Sequence, residues 1–482
     1  MTVELNDQDD FTLENLKRVA WQDESVVFSN LCQARMSDAR QSFLRLLASD
    51  ENQFIYGVTT RFGLGAKNIL DADGRRAMAT QTAFSRGSGV GEPYPARVVR
   101  AMIFARLTNF VTGNSAITPS LAQSVANMLD GRDLPTMRKG GQDASGESTN
   151  LAELYWHLMG GTCGEKNNNA LANGSPCSAG LAGDAALRAR NRLKLCEQVF
   201  ALSIEAVGTS LEHYDAALAE LWGDPYDAAA LASLNQQLEG ADSGGRRFYQ
   251  APVSWRIVPR VLGQTRRAVV HLEEVAQVAL RAVTDNPIYV LPDHQSPNGR
   301  VIHNGGFHNG SAYVAMNGLC EAWADLATLV GFHLKGLANP EVTGLGAGLR
   351  LGDEENGLAY TLGGVQRSFG RKARLLASPA VLSGEIDSDS QTDVTVPTFD
   401  AFDKEVDSSA ALDTCLALLT VFASQVLAIA KREPAPALRS LLGAVRHLVP
   451  PVAGVRPVAA EIAPLIALFA SAALGEDVLS SR

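Results

Sequence analysis

Apolar positions recur every three to four residues through most of the chain, the spacing that gives a helix one buried face. Residues 13–47 read as helix with turns. A pair of amphipathic helices follows, the first placing Val98, Val99, Met102, Ile103, Phe110 and Val111 at helical spacing. The second opens at Thr118-Pro119, an N-cap with proline at the first helical position, and buries Leu121, Val125 and Met128. Helical patterning returns over 150–159, 184–211 and 266–283, where Thr284-Asp285-Asn286-Pro287 stops it. Three stretches, 312–333, 410–430 and 458–474, are apolar nearly all round, so each must be surrounded in a bundle or at a subunit interface. Strand-like pieces flank Pro297-Asn298-Gly299, which predicts a hairpin. Residues 54–65 read as an extended segment entering a glycine-rich loop; 84–93 and 160–169 read as loops and 223–247 as a looser stretch. The pattern predicts a mainly α fold with a long central helix bundle and a smaller N-terminal mixed domain that carries the loops. The expected division is 1–210 and 211–482.

Composition narrows this picture. With 482 residues, 46% hydrophobic and 20% charged, the chain reads as soluble and globular. A net charge of −10 argues against nucleic-acid binding, which needs concentrated Lys and Arg. The six cysteines are scattered without a CxxC pair, so buried thiols in a reducing compartment are expected, and no metal site. The polar, acidic residues 1–11 do not read as a signal peptide, and a cytoplasmic protein is expected. The 410–430 run is long enough to cross a membrane, but Asp413 and Gln425 within it favour a buried bundle helix and no membrane partner.

The candidate chemistry lies in Gly140-Gly141-Gln142-Asp143-Ala144-Ser145-Gly146-Glu147. In a tight bend, the amide nitrogen of Gly146 can attack the carbonyl carbon of Ala144. Loss of water, and then of the Ser145 hydroxyl as a second water, gives 4-methylidene-imidazol-5-one, a strong electrophile. Glycine allows backbone to approach backbone without a Cβ between them. The tripeptide alone decides nothing, because it occurs by chance in about one chain in several of this size. Tyr56, in the loop from 54 to 65, is either a turn-packing aromatic or a base whose pKa has fallen from about 10.

Taken together, the motifs resemble the aromatic amino acid ammonia-lyases and aminomutases, with a pattern most like that of histidine ammonia-lyase. The Tyr-Gly-Val-Asn-Thr-Gly-Phe-Gly loop of that family appears at 56–63, Gly-Val-Gly-Glu-Pro at 89–93, and the Ala-Ser-Gly precursor at 144–146. Asn-Gly-Ser stands at 173–175, a Gln…Ser-x-Arg segment at 250–263, Thr-Asp-Asn-Pro at 284–287 and Gly-x-Phe-His at 305–308. Each motif is weak alone, whereas seven in order are specific. The resemblance implies a cofactor ring formed autocatalytically from Ala144, Ser145 and Gly146, with Tyr56 as the base and Asn173 bonded to the ring carbonyl. It implies Arg256 as a bidentate clamp on the substrate carboxylate, with Gln250, Ser85, Phe307 and Gln391 as further substrate contacts. It also implies a small-molecule amino acid substrate and a homotetramer whose sites are shared between subunits.

Departures from the family pattern bear on the substrate. Arg61 stands where glycine is usual and Arg86 where the histidine enzymes have histidine. Val253 replaces a tyrosine, Gln391-Thr392-Asp393 replaces Gln-Glu-Asp, and Glu147 replaces an aspartate. Losing the imidazole-facing groups while gaining two arginines argues against histidine, and an acidic side chain is the expectation if Arg61 and Arg86 face the pocket. The expected activity is a carbon–nitrogen lyase that releases ammonia. Two alternatives stay open: a 2,3-aminomutase that returns the amine to the β-carbon, and a silent family member acting as a binding or structural protein.

Overall fold

The computed structural model describes all residues except 1, 50–52, 81–86, 132–133, 142–143, 160–163, 248, 352–357, 385–391, 454–455 and 476–482. The fold is mainly α, as the apolar spacing predicts, with three short two-stranded pairings among the described residues. The chain forms two compact units: Met1–Ala185 with Leu272–Val314 and Ala380–Phe402, and Ala186–His271 with Ala315–Pro379 and Asp403–Arg482. They interleave along the sequence instead of meeting once at 210, because the helices Pro176–Val207, Val258–Arg281, Gly310–Leu337 and Thr398–Ala430 each begin in one unit and end in the other.

The first unit is organised on the helix Ala96–Val111, buried without interruption from Val98 to Val111. The helices Leu13–Trp21, Asn30–Ser49 and Pro119–Asn127 pack around it. Two arginines are tolerated inside it because their guanidinium N–H groups find carbonyls, as buried charge requires. Arg100 donates to Val19 O at 2.7 Å and Glu24 O at 3.1 Å, and Arg106 donates to Ala170 O at 2.8 Å. The predicted hairpin is present as Ile288–Val290 paired antiparallel with Arg300–Ile302.

In the second unit, buried ion pairs tie the helices together. Arg192 makes a two-pronged contact with Asp413 at 2.8 and 2.9 Å, while Glu405 accepts from Arg188 at 2.6 Å and from Trp323 Nε1 at 3.1 Å. The 225–237 part of the looser stretch is in fact the helix Pro225–Gln237. Its start signal was legible: Asp224 accepts from the amides of Tyr226 and Asp227, with proline at the first turn. Thr398–Ala430 is the one helix among the described residues that is long and apolar enough to cross a membrane, and 89% of its most apolar window is buried inside the protein.

Candidate active site

Tyr56 sits on a tight turn whose flanking residues are core. Ile55 and Val58 pack with Phe43, Leu46 and Tyr289, and the amides of Val58, Thr59 and Thr60 all converge on Ile55 O. Gly57 has φ +69°, and a Cβ there would lie 2.3 Å from Phe62 Cε1, so only glycine fits. Three polar contacts then fix Tyr56 itself. Its N–H donates to His303 Nε2 at 3.1 Å, its carbonyl accepts from Asn169 Nδ2 at 3.3 Å, and its phenolic oxygen accepts from Gly63 N–H at 3.2 Å. Phe62 stands edge-on to its ring, with centroids 5.4 Å apart.

The 144–146 segment faces the same space. Ser145 Oγ donates to Val394 O at 2.8 Å, and Ala144 O accepts from Val396 N–H at 3.2 Å. Gly146 has φ +69°, and a Cβ on it would meet Phe307 Cδ2 at 3.1 Å. Glu147 turns inward, where its carboxylate accepts from the amides of Cys177 at 2.6 Å and Ser178 at 2.7 Å, and from the Ser178 hydroxyl. It thereby meets the free N–H groups at the start of the helix Pro176–Val207. Burial pushes its pKa up to about 7 against the pull of these donors.

Asn173 ends a short helix, Asn167–Ala172, that lies partly in the stretch read as a loop. Asparagines favour turns because their side chains compete for backbone groups, and here tertiary partners occupy those side chains. Asn167 Oδ1 accepts from Thr118 N–H, Asn168 Nδ2 donates to Met78 O and Ala79 O, and Asn169 Nδ2 reaches Tyr56 O and Asn286 O. Arg106 donates to Asn173 O and pairs with Asp285 at 2.8 Å, both side chains fully buried. Lys166 Nζ lies 3.9 Å from the same carboxylate, and burial lowers its pKa to about 8 despite Asp285.

Tyr56, Ala144, Ser145, Gly146, Asn173 and Phe307 all line one pocket of about 800 Å³. Phe54, His303, His308 and Asp393 also contribute to its wall. Neither Phe54 nor His303 was singled out from the sequence. The pairing of His303 with Tyr56 spans 247 residues, and the only local hint was a second histidine in the loop that carries Phe307.

The family profile described as aromatic amino acid lyase matches residues 11–162 and 161–447. The chain belongs to that family. Among curated lyases of this kind, histidine ammonia-lyase of Symbiobacterium thermophilum is 28% identical over 95% of this chain and 94% of its own length. The histidine ammonia-lyase of Aromatoleum aromaticum is 26% identical over 91% and 88%. Solved structures share the fold. Ergothionase of Treponema denticola superposes with a TM-score of 0.89 at 18% identity, covering 99% of this chain and 100% of that one. Tyrosine aminomutase of Streptomyces globisporus gives 0.85 at 21% identity, covering 98% of each. The curated relatives are ammonia-lyases, which makes this chain an enzyme of a lyase family, and the solved structures show that the fold is shared with an aminomutase.

The remaining site residues expected of a lyase are not among those lining this pocket or lie outside the described residues. Arg61 is exposed and is not part of the wall; its stem lies over Gly65. Gln250 and Arg256 belong to the second unit. There Arg256 Nε donates to Ala251 O at 2.9 Å, on a turn anchored by the buried Trp255. That indole stacks on His333 with centroids 4.3 Å apart, and Tyr214 donates to Trp255 O. Ser85, Arg86 and Gln391 lie outside the described residues.

Proposed function

We propose that this protein is an ammonia-lyase for a free α-amino acid, working through a 4-methylidene-imidazol-5-one built from Ala144, Ser145 and Gly146. The observation that carries the reading is the shared pocket, in which the Tyr56 phenol, the Ser145 segment and Asn173 line the same walls. The segment suits the ring: Gly146 already holds a left-handed φ, and Phe307 fills the place of a Cβ. Once formed, the ring supplies an electrophile that makes the substrate amine a better leaving group.

This chain's own residues would do the rest. Tyr56 Oη takes the proton from the β-carbon as the C–N bond breaks, and the Gly63 N–H holds that oxygen in place. Asn173, steadied through its carbonyl by Arg106, would offer its side-chain amide as the donor that meets developing negative charge. Arg256, contributed by a neighbouring chain of a homotetramer, clamps the substrate carboxylate through two parallel N–H bonds. Support for such a neighbour comes from Tyr249 and Val253 beside it, 79% and 58% exposed despite their apolar side chains.

On the substrate side chain, the reading departs from the acidic group expected from Arg61 and Arg86. No lysine or arginine is among the residues lining the described pocket, whereas Phe54, Phe307, Leu382 and Val394 offer apolar surface and Asp393 a carboxylate. A neutral, largely apolar side chain fits this wall better than an anionic one. The test joins two measurements. The intact mass should fall short of the sequence mass by two waters, and ammonia should be released from neutral amino acids and not from aspartate or glutamate. A full mass with no release from any amino acid would leave a silent scaffold. A β-amino acid in place of free ammonia would make the enzyme a 2,3-aminomutase.

A further inference from the structure

The catalytic assignment leaves two pocket histidines unused, His303 and His308, and of these His303 contacts Tyr56 directly. His303 follows the strand Arg300–Ile302, which pairs with Ile288–Val290, so a hairpin sets its position. It lines the same pocket as Tyr56. Its Nε2 accepts the Tyr56 N–H, which an imidazole can do only when that nitrogen carries no proton. The neutral ring must therefore hold its proton on Nδ1. On the other side of the same residue, Asn169 Nδ2 donates to Tyr56 O, and Asn169 Oδ1 in turn accepts from Lys166 Nζ at 3.4 Å. The Tyr56 backbone is thus gripped at both its N–H and its C=O.

We propose that His303 is a positioning residue for the base: its unprotonated Nε2 fixes the Tyr56 backbone, and protonation of the ring releases it. The inference rests on Tyr56 being the base. On protonation, Nε2–H would point at another N–H donor, turning attraction into repulsion and freeing the turn. Burial and the nearby Lys166 cation both pull the His303 pKa below its ordinary value. The grip is therefore complete near neutrality and is lost as pH falls through that lowered value. The other titratable groups on the pocket wall are Tyr56, His308, Asp393 and Glu147; Lys166, behind it, pairs in turn with Asp285.

Two variants separate this role from simple packing. His303→Gln places an amide oxygen near the position of Nε2, and that acceptor does not titrate. His303→Leu keeps bulk and removes the acceptor. For His303→Leu, kcat should fall about 10- to 100-fold with KM little changed, the size expected when a reacting group is displaced. His303→Gln should keep most of kcat and lose the acid limb that the wild-type pH profile owes to this ring. Amide hydrogen exchange over residues 53–60 gives a readout without turnover. Corrected for intrinsic rate, exchange should quicken in His303→Leu at all pH, in wild type only under acid conditions, and not in His303→Gln. Identical exchange and identical pH profiles in all three proteins would overturn the proposal. Should wild type release no ammonia from any amino acid, the lyase reading fails, and the exchange arm still decides whether His303 holds the turn.

Discussion

At the scale of single residues, the proposed chemistry depends on Tyr56, whose N–H, C=O and phenolic oxygen each have a different polar partner. Replacing Tyr56 with phenylalanine removes only the oxygen that Gly63 N–H contacts and leaves the edge-on packing with Phe62 intact. Ammonia release should drop at least about 100-fold, the usual cost of losing a general base, while the circular dichroism spectrum stays unchanged. Ser145→Ala removes the hydroxyl whose loss completes the ring. That variant should show no loss of the second water by mass spectrometry and should be inactive, with Tyr56 untouched. Tyr56, Asn173 and Phe307 were legible in the sequence because each sits in a local motif whose spacing survives. His303 was not, because its meaning comes from a partner 247 residues away and histidine before Asn-Gly-Gly reads as an ordinary turn. Arg61 stands inside a recognised motif yet is exposed and outside the pocket wall of the single chain, so the motif alone does not say what it contacts.

At the scale of elements, Glu147 joins the precursor segment to the first turn of Pro176–Val207. Burial raises its folded pKa from 4.5 to about 7. Between those values the folded protein holds a proton that the unfolded chain has released, so this group's contribution to stability is full below pH 4.5 and lost as pH rises through about 7. His333, held near 4 by burial, works in the opposite sense and contributes stability that falls away as pH drops through that value. Subtracting Glu147→Gln from wild type isolates the first effect. Glutamine presents one acceptor and one donor arm at every pH, so the difference in urea-unfolding stability between the two proteins should shrink as pH rises from about 4.5 to about 7 and then stay flat. The Arg106–Asp285 pair lends itself to a second test. Arg106→Met removes the nearer of the two cations beside a fully buried carboxylate, leaving it Lys166 and the Ser115 hydroxyl, and frees the Asn173 carbonyl. A loss toward the lower end of about 3–5 kcal/mol in unfolding free energy is expected. Helices with a continuous apolar face were read correctly from sequence. Asn167–Ala172 was not, since three asparagines argue for a turn until tertiary partners are found for them.

For the whole molecule, the proposed reaction needs one substrate to meet both Tyr56 and Arg256. The three all-apolar stretches predicted a bundle needing cover, and they are the helices Gly310–Leu337, Thr398–Ala430 and Ala459–Ala473. The domain split was the part that sequence could not give, because the long helices run through both units and leave no composition change where one unit ends. Cover is still wanted in the second unit, where Phe332 and Leu375 are 58% and 70% exposed. Ala459–Ala473 buries Ile462, Leu465 and Phe469 while leaving other apolar positions open. If neighbouring chains close these faces and bring Arg256 of one chain to Tyr56 of another, two inactive variants should rescue each other. Tyr56→Phe and Arg256→Met would each be inactive as pure proteins. Co-expressed, they form mixed assemblies in which some sites draw tyrosine from one variant and arginine from the other, and random mixing of two equally abundant chains restores about a quarter of the wild-type rate. A site built from one chain has no such recovery, because every subunit then lacks one of the two groups. Mass photometry of the same preparations supplies the control: rescue must appear in tetramers and vanish when Phe332→Glu places charge on the exposed face and lowers the assembly size.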